Sequence, residues 1–236
     1  MTAKKSTAST RMPLTTEELE QLTADEFVRL KLTDDEKFRL REINEARERL
    51  SMEKAAKLGI AEAPLVAALR SAGINVEDGV WDLVNTRERY DAALPVLAEH
   101  LERDYPPEIQ EGIARAMAVY EAQPWRQDFI RLIRNRPSMP EGKRDGFRDG
   151  LAVAIGNTTT LDNVWETIEL LRDTSLGTSR ILIVYVFRKM KDVDVREALL
   201  ELRERDPELR IAISELPWVK KLDRECKKAG QSSQKH

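Results

Sequence analysis

An all-α protein built from repeated helix pairs is what this sequence predicts, on three observations. Ile109, Ile113, Ala116 and Met117 stand at i, i+4, i+7 and i+8, and Phe147, Leu151, Ala154 and Ile155 repeat that helical spacing, with no sustained period-two alternation anywhere. The stretch IQEGIARAMAV (109–119) returns as FRDGLAVAIGN (147–157), placing Gly112 over Gly150 and Ala114 and Ala116 over Ala152 and Ala154. Equivalent positions lie 38 residues apart from Gly112 to Gly150 and 31 from Gly150 to Ile181, the span of a two-helix unit. The expected fold is an α-solenoid of about four helix pairs, preceded by a long charged N-terminal helix.

Residues 1–14 carry almost nothing to bury and read as a disordered tail. The region 15–89 follows. Thr15, Thr23 and Thr33 each precede a glutamate by three residues (Glu18, Glu26 and Glu36), the form of a capping box. The third opens a helix expected over 34–58, with a thin apolar stripe of Phe38, Ile43, Ala46, Leu50 and Leu58. Its other faces are charged, with Glu45–Arg49 and Glu53–Lys57 at i,i+4 spacing. The heptads are not sustained enough to favour a coiled coil. Gly59 should end this helix, and 63–72 should form a short apolar one stopped by Gly73. Residues 76–90 then make a connector in which Trp81, Leu83 and Val84 are expected to be buried.

From 90 to 217 the chain reads as helix pairs. First helices are expected near 91–102, 125–134, 161–172 and 194–205, and second helices near 107–119, 144–156, 178–190 and 207–215. RILIVYVFRK (180–189) has the composition of a strand. It occupies a second-helix slot, however, and a lone strand there would lack hydrogen-bonding partners. Helix is therefore predicted. Gly112 and Gly150 each cost about 1 kcal/mol relative to alanine inside a helix. Their recurrence beside alanines marks where each second helix closely approaches a neighbour. Residues 218–236 read as a polar C-terminal tail.

Several of these features resemble the HEAT-repeat, armadillo-like families. Pro95 lies inside a first helix (ALPVLAEHL), EGIARAMAV is a second helix of small residues, and ERDYPPE and RDTSLGTSR are polar turns between helices. PELRIAISELPW departs from the pattern by its shortness, as a capping repeat would. The resemblance implies a generic binding surface and names no partner.

Composition narrows the function. Hydrophobic residues make up 41% of the chain and charged ones 34%, yet the net charge is only −3, so charge advertises neither nucleic acid nor membrane. No apolar run is long enough to span a bilayer, the basic N-terminus lacks the apolar stretch of a secretory signal, and the lone Cys226 fits a reducing compartment. A cytoplasmic protein is expected. His100 has no second ligand at metal spacing and reads as a surface histidine. No nucleophile elbow or phosphate loop is present, and MPEGKRDG (139–146) lacks the strand and upstream glycine of a P-loop. Neither catalytic residues nor a cofactor or metal is expected.

Some HEAT-like proteins are DNA glycosylases, and that resemblance would cast Trp125, Trp165 and Asp162 in the site. It would set Arg126, Arg131, Arg134, Arg136, Lys143, Arg144 and Arg148 on the phosphates. No motif matches, and tryptophans near the starts of two first helices read more simply as core. Segment 125–150 carries seven basic against four acidic residues, while 90–124 carries two against seven. Nucleic-acid binding is thus the alternative to a non-enzymatic scaffold or adaptor that binds a protein through its second-helix surface.

On that inner surface the first two pairs place Gln110, Glu111, Ala114 and Arg115, then Arg148, Asp149, Ala152 and Val153. The third pair places Ser179, Arg180, Ile183 and Val184 there, with Phe187 beyond. A helix apolar all round must be covered on every side. The cover could be the helix 34–58, a second copy or a partner protein. Ile183, Val184, Phe187, Arg115 and Arg148 are the predicted protein-binding residues.

Overall fold

The computed structural model describes residues 12–137 and 143–233, and among these there are helices and connecting turns but no strand. Residues 1–11 of the predicted tail lie outside the described residues, as do 138–142 and 234–236. Among the described residues no helix is long and apolar enough to cross a membrane.

All three capping boxes form. Helices α1 (Thr16–Gln21) and α2 (Ala24–Arg29) start at Thr15 and Thr23, each with reciprocal bonds to its glutamate. At the third, the Thr33 N–H donates to Glu36 at 2.7 Å and the Glu36 N–H to the Thr33 hydroxyl at 3.2 Å. Glu36, fully buried, also accepts from the Leu14 N–H at 2.7 Å, so Leu14 is anchored rather than part of a tail. Leu19 and Leu32 are buried beside it in sequence, and the Arg47 guanidinium donates to the Glu20 carbonyl at 2.8 Å. Phe38, Leu50 and Met52 of the charged helix stay exposed.

That helix does not end at Gly59. Helix α3 runs Asp34–Ser71 through both Gly59 and Pro64. The two breakers together cost roughly 4 kcal/mol. Leu65 and Leu69 are fully buried, and two buried leucines contribute about 3–6 kcal/mol, enough to hold the helix through them. The chain divides into compact units at Leu58 and Gly59, within α3, rather than at 89 and 90.

In the second unit, α4 (Trp81–Asn85) buries Leu83 as expected, but Trp81 is 38% exposed and Val84 only half-buried. The first helices of the pairs are α5 (Leu94–His100), α7 (Arg126–Asn135), α9 (Val164–Arg172) and α11 (Val193–Arg205). The second helices are α6 (Pro107–Ala116), α8 (Gly146–Asn157), α10 (Arg180–Val184) and α12 (Pro207–Ser214). Each first helix packs on its own second helix, the second helices touch in the order α6, α8, α10, α12, and α4 packs on α6 at the start of the row. Residues 180–189 are helical as predicted. They divide into α10 and a 3-10 turn over Tyr185–Lys189, and a further 3-10 turn over Thr174–Ser179 precedes them. Gly177 takes φ 59° there, a conformation that L side chains rarely adopt.

The glycines sit where the repeat predicted close approaches. A Cβ on Gly150 would lie 2.7 Å from the Ala114 Cβ and 3.2 Å from the Arg115 nitrogen, and one on Gly112 would lie 2.5 Å from Val80 Cγ1. Small residues at these crossings let α8 settle on α6, and α6 on the segment that opens α4.

The predicted tail is largely a helix, α13 (Pro217–Ser233). Trp218, Val219 and Leu222 give it a short apolar stripe; Val219 is fully buried, and the Trp218 indole N–H donates to the Phe187 carbonyl at 3.0 Å. The Arg196 guanidinium lies over the Trp218 ring, 4.9 Å from its centroid.

Candidate functional site

Ile183, Val184 and Phe187 are core residues, each at most 1% exposed. This corrects the expectation that they form a binding surface. The cover is the chain's own: α8, α9 and α12 pack on α10, and α13 packs on the turn that holds Phe187. The apolar composition of 180–189 was read correctly, but its fourth cover was mistaken for a tail.

The inner-face arginines are also spoken for. Arg148 is 7% exposed, and its guanidinium donates to the Arg136 carbonyl at 2.5 Å and the Ile133 carbonyl at 3.4 Å, at the C-terminal end of α7. Arg180, 1% exposed, does the same for α9 through the Leu171 carbonyl at 2.8 Å, and pairs with Asp206 and Glu208. A cation at a helix C-terminus satisfies orphan carbonyls and the helix dipole together. Arg148 therefore does not present a binding charge. Arg115 is half-buried and held by Glu111 at 2.7 Å. Arg144 bridges that same Glu111 to Asp149, whose carboxylate accepts from the Ser179 hydroxyl at 2.9 Å. The inner face is a self-satisfied polar ladder running from α6 to α10.

The cations of 125–150 follow suit. Arg126 is 4% exposed and donates to the Ile155 carbonyl at 2.7 Å, the Thr167 hydroxyl at 2.7 Å and Glu166 at 3.1 Å. Arg131 pairs with Glu102 and Asp128, Arg134 with Asp173, and Arg136 with Asp145 while lying over the Phe147 ring. Lys143 is exposed. Trp125 lines a hollow of 330 Å³ with Pro95, Ala98, Glu99, Leu101, Glu102 and Asp128, whose walls include neither Trp165 nor Asp162.

His100 is not a surface histidine. It is 2% exposed, stacks on Tyr105, and places Nδ1 2.7 Å from the Tyr105 hydroxyl. Burial lowers its pKa, and Arg103 adds to the fall. Nearby, Glu62 is 6% exposed, and its carboxylate accepts from the Val80 N–H at 2.5 Å under Gly79. Burial raises the Glu62 carboxyl above its ordinary value against the pull of the Val80 N–H, and the Asp82 charge adds to the rise. Neither burial was legible in the sequence: His100 stands among charged residues, and Glu62 is the lone charge in the apolar stretch 59–66, where a helix could equally well turn it to solvent. Among the described residues no three His, Cys, Asp or Glu side chains converge as metal ligands would.

One edge of the helix stack stands apart. Gly150 crosses Ala114, Asn157 donates to the Ala118 carbonyl at 2.5 Å, and Gly156 faces Ile183. These contacts run in the same chain direction, so α6, α8 and α10 are parallel and their C-terminal ends share one edge. Each crossing to the next pair starts there, and exposed apolar side chains stand along this edge: Tyr120 at 61% in the first crossing, Leu161 at 72% in the second, and Tyr185 at 53% in the third, with Val193 at 64% opening α11. Between the second and third crossings lies a groove of 650 Å³ lined by Thr159, Thr160, Leu161, Val186, Met190 and, at its rim, Lys189, Lys191 and Asp192. That volume is within the roughly 300–1,000 Å³ of ligand-sized clefts. The Asp192 carboxylate is engaged, capping α11 through the Val195 N–H at 3.0 Å. Lys189 and Lys191 are exposed and enter no ion pair among the described residues.

No protein-family model, curated protein or solved structure matches this chain. The functional reading therefore rests on the site itself. Nothing in the sequence separates the exposed Tyr120, Leu161, Tyr185 and Val193 from buried apolar residues beside them such as Met117 and Phe187, because only packing decides which of them is covered.

Proposed function

We propose that this chain is a non-enzymatic protein-binding scaffold or adaptor, built as a short HEAT-like solenoid that engages its partner along the crossing edge. Stacked parallel second helices, each backed by its own first helix, support the solenoid reading. The observation that carries the binding reading is the groove beside Leu161, where exposed apolar residues line a cleft. Exposed apolar groups at a cleft mark interaction sites more often than scattered ones do. The inner face supports a partner less well, because its charges satisfy one another.

The test compares proteins captured from the native host by the unaltered chain and by a Leu161→Asp, Val193→Asp variant. Both residues are largely exposed, so the variant should keep its melting temperature within about 2 °C, as surface changes do. Proteins retained by the chain and lost by the variant are the expected outcome. An identical captured set on both would overturn the crossing edge as the binding surface.

A further inference from the structure

We infer that the groove between the crossings 158–163 and 185–192 receives a short acidic segment of another protein, with an apolar side chain as its anchor. The inference rests on the protein-binding reading above and assigns the chemistry of what is bound.

The floor and rim make different demands. Leu161, Val186 and Met190 offer apolar surface that stays partly or largely exposed in the free chain, and covering it is favourable in proportion to the area removed from water. The rim carries one excess positive charge, Lys189 and Lys191 against Asp192. Lys189 and Lys191 flank the opening, and Arg188, exposed and likewise without an ion pair among the described residues, adjoins them in sequence. The one carboxylate of the lining, Asp192, is held by the α11 N-terminus.

Many cations elsewhere in the stack are paired. Arg115, Arg131, Arg136, Arg144 and Arg180 all have carboxylate partners within the chain. In a chain whose net charge is −3, unpaired cations gathered at an apolar cleft are left for an external anion to meet. Phosphates alone would use the cations and leave Leu161, Val186 and Met190 without a role. An acidic peptide with an aliphatic or aromatic anchor uses both. The rim charges should chiefly speed encounter and set specificity, while the anchor sets residence time.

The experiment begins with a phage-displayed library of random 12-residue peptides selected on the full chain. Selected sequences are then made as fluorescein-labelled peptides and measured by anisotropy. The expected peptides combine Asp or Glu with an aliphatic or aromatic residue. They should weaken at least tenfold on Lys189→Glu with Lys191→Glu, and at least tenfold on Leu161→Asp. Lys143→Glu with Lys227→Glu, outside the groove lining, should change binding less than threefold. Affinity for the unaltered chain should also fall as salt rises.

Peptides lost with Leu161→Asp but indifferent to the Lys189 and Lys191 reversal would overturn the acidic class while leaving the protein-binding reading standing. Peptides indifferent to both would overturn both. A library yielding no binders overturns the inference. So does a labelled 20-nucleotide single strand that binds in place of peptides and is lost on the same reversal, which would make the groove a phosphate site.

Discussion

Gly150 and Gly59 are both glycines inside helices, and they should respond to alanine with opposite signs. Gly59 has nothing within 4 Å of where a Cβ would stand. Gly59→Ala should raise stability by about 0.5–1 kcal/mol, the ordinary helix-propensity gain. At Gly150 the new carbon would meet the Ala114 Cβ at 2.7 Å and α6 backbone at 3.2 Å. Overpacking of about 1–3 kcal/mol outweighs the same propensity gain, so Gly150→Ala should lower stability. Urea melts of the two variants check this, and equal signs would contradict it.

Glu62 offers a pH-dependent test at the same scale. Its folded pKa is raised above the ordinary 4.5, so the folded chain holds that proton more tightly than the unfolded chain does. Stability on its account is highest below 4.5, falls as the pH passes through the raised value, and stays reduced at pH 7. Glu62→Gln keeps a carbonyl acceptor for the Val80 N–H and removes the charge. It should raise the melting temperature at pH 7 and much less at pH 4. Equal shifts at both would show that the buried charge is not the cause.

Elements in this fold are joined by what lies at their ends. Arg148 and Arg180, on second helices or their first residues, each reach the C-terminal carbonyls of the first helix in the same pair. Burial pushes the Asp206 carboxyl up, but the bonds from Arg180 and the Leu209 N–H outweigh it and leave it below the ordinary value. Arg180→Met strands that carboxylate and the Leu171 carbonyl, and should cost about 3–5 kcal/mol. The apolar third pair gives a sharper expectation. Val184→Asp with Phe187→Asp places two charges in a dry core and should abolish the cooperative thermal transition, whereas an unchanged melt would return these residues to the surface.

For the whole molecule, the pairing of its charges predicts how it meets nucleic acid. Arg126, Arg131, Arg134, Arg136, Arg144 and Arg148 are internally bonded, so the basic excess of 125–150 is not free to displace counterions. Gel shifts on duplex DNA at low salt should show no retained complex; one that weakens steeply with salt would revive the nucleic-acid reading. The compact unit 59–236 should also melt cooperatively when expressed as a shorter chain, as two-state domains do. A broad, non-cooperative loss of helix would mean that this division is not one of stability.

Local information sufficed wherever the deciding interactions were within a few residues. Thr15, Thr23 and Thr33 with their glutamates start helices because both hydrogen bonds span three positions. The repeat of 109–119 in 147–157 located the α6–α8 crossing because small side chains leave a periodic trace. Tertiary structure decided the rest. Gly59 looked like a break, but burial of Leu65 and Leu69 further along the helix outweighs its cost and that of Pro64. Residues 218–233 looked like a tail because a helix that buries little beyond Trp218 and Val219 needs the Phe187 turn already in place. Composition alone counts the arginines of 125–150. Only packing shows that these arginines are bonded within the chain while Lys189 and Lys191 enter no ion pair among the described residues, because most of the partners lie far away in sequence.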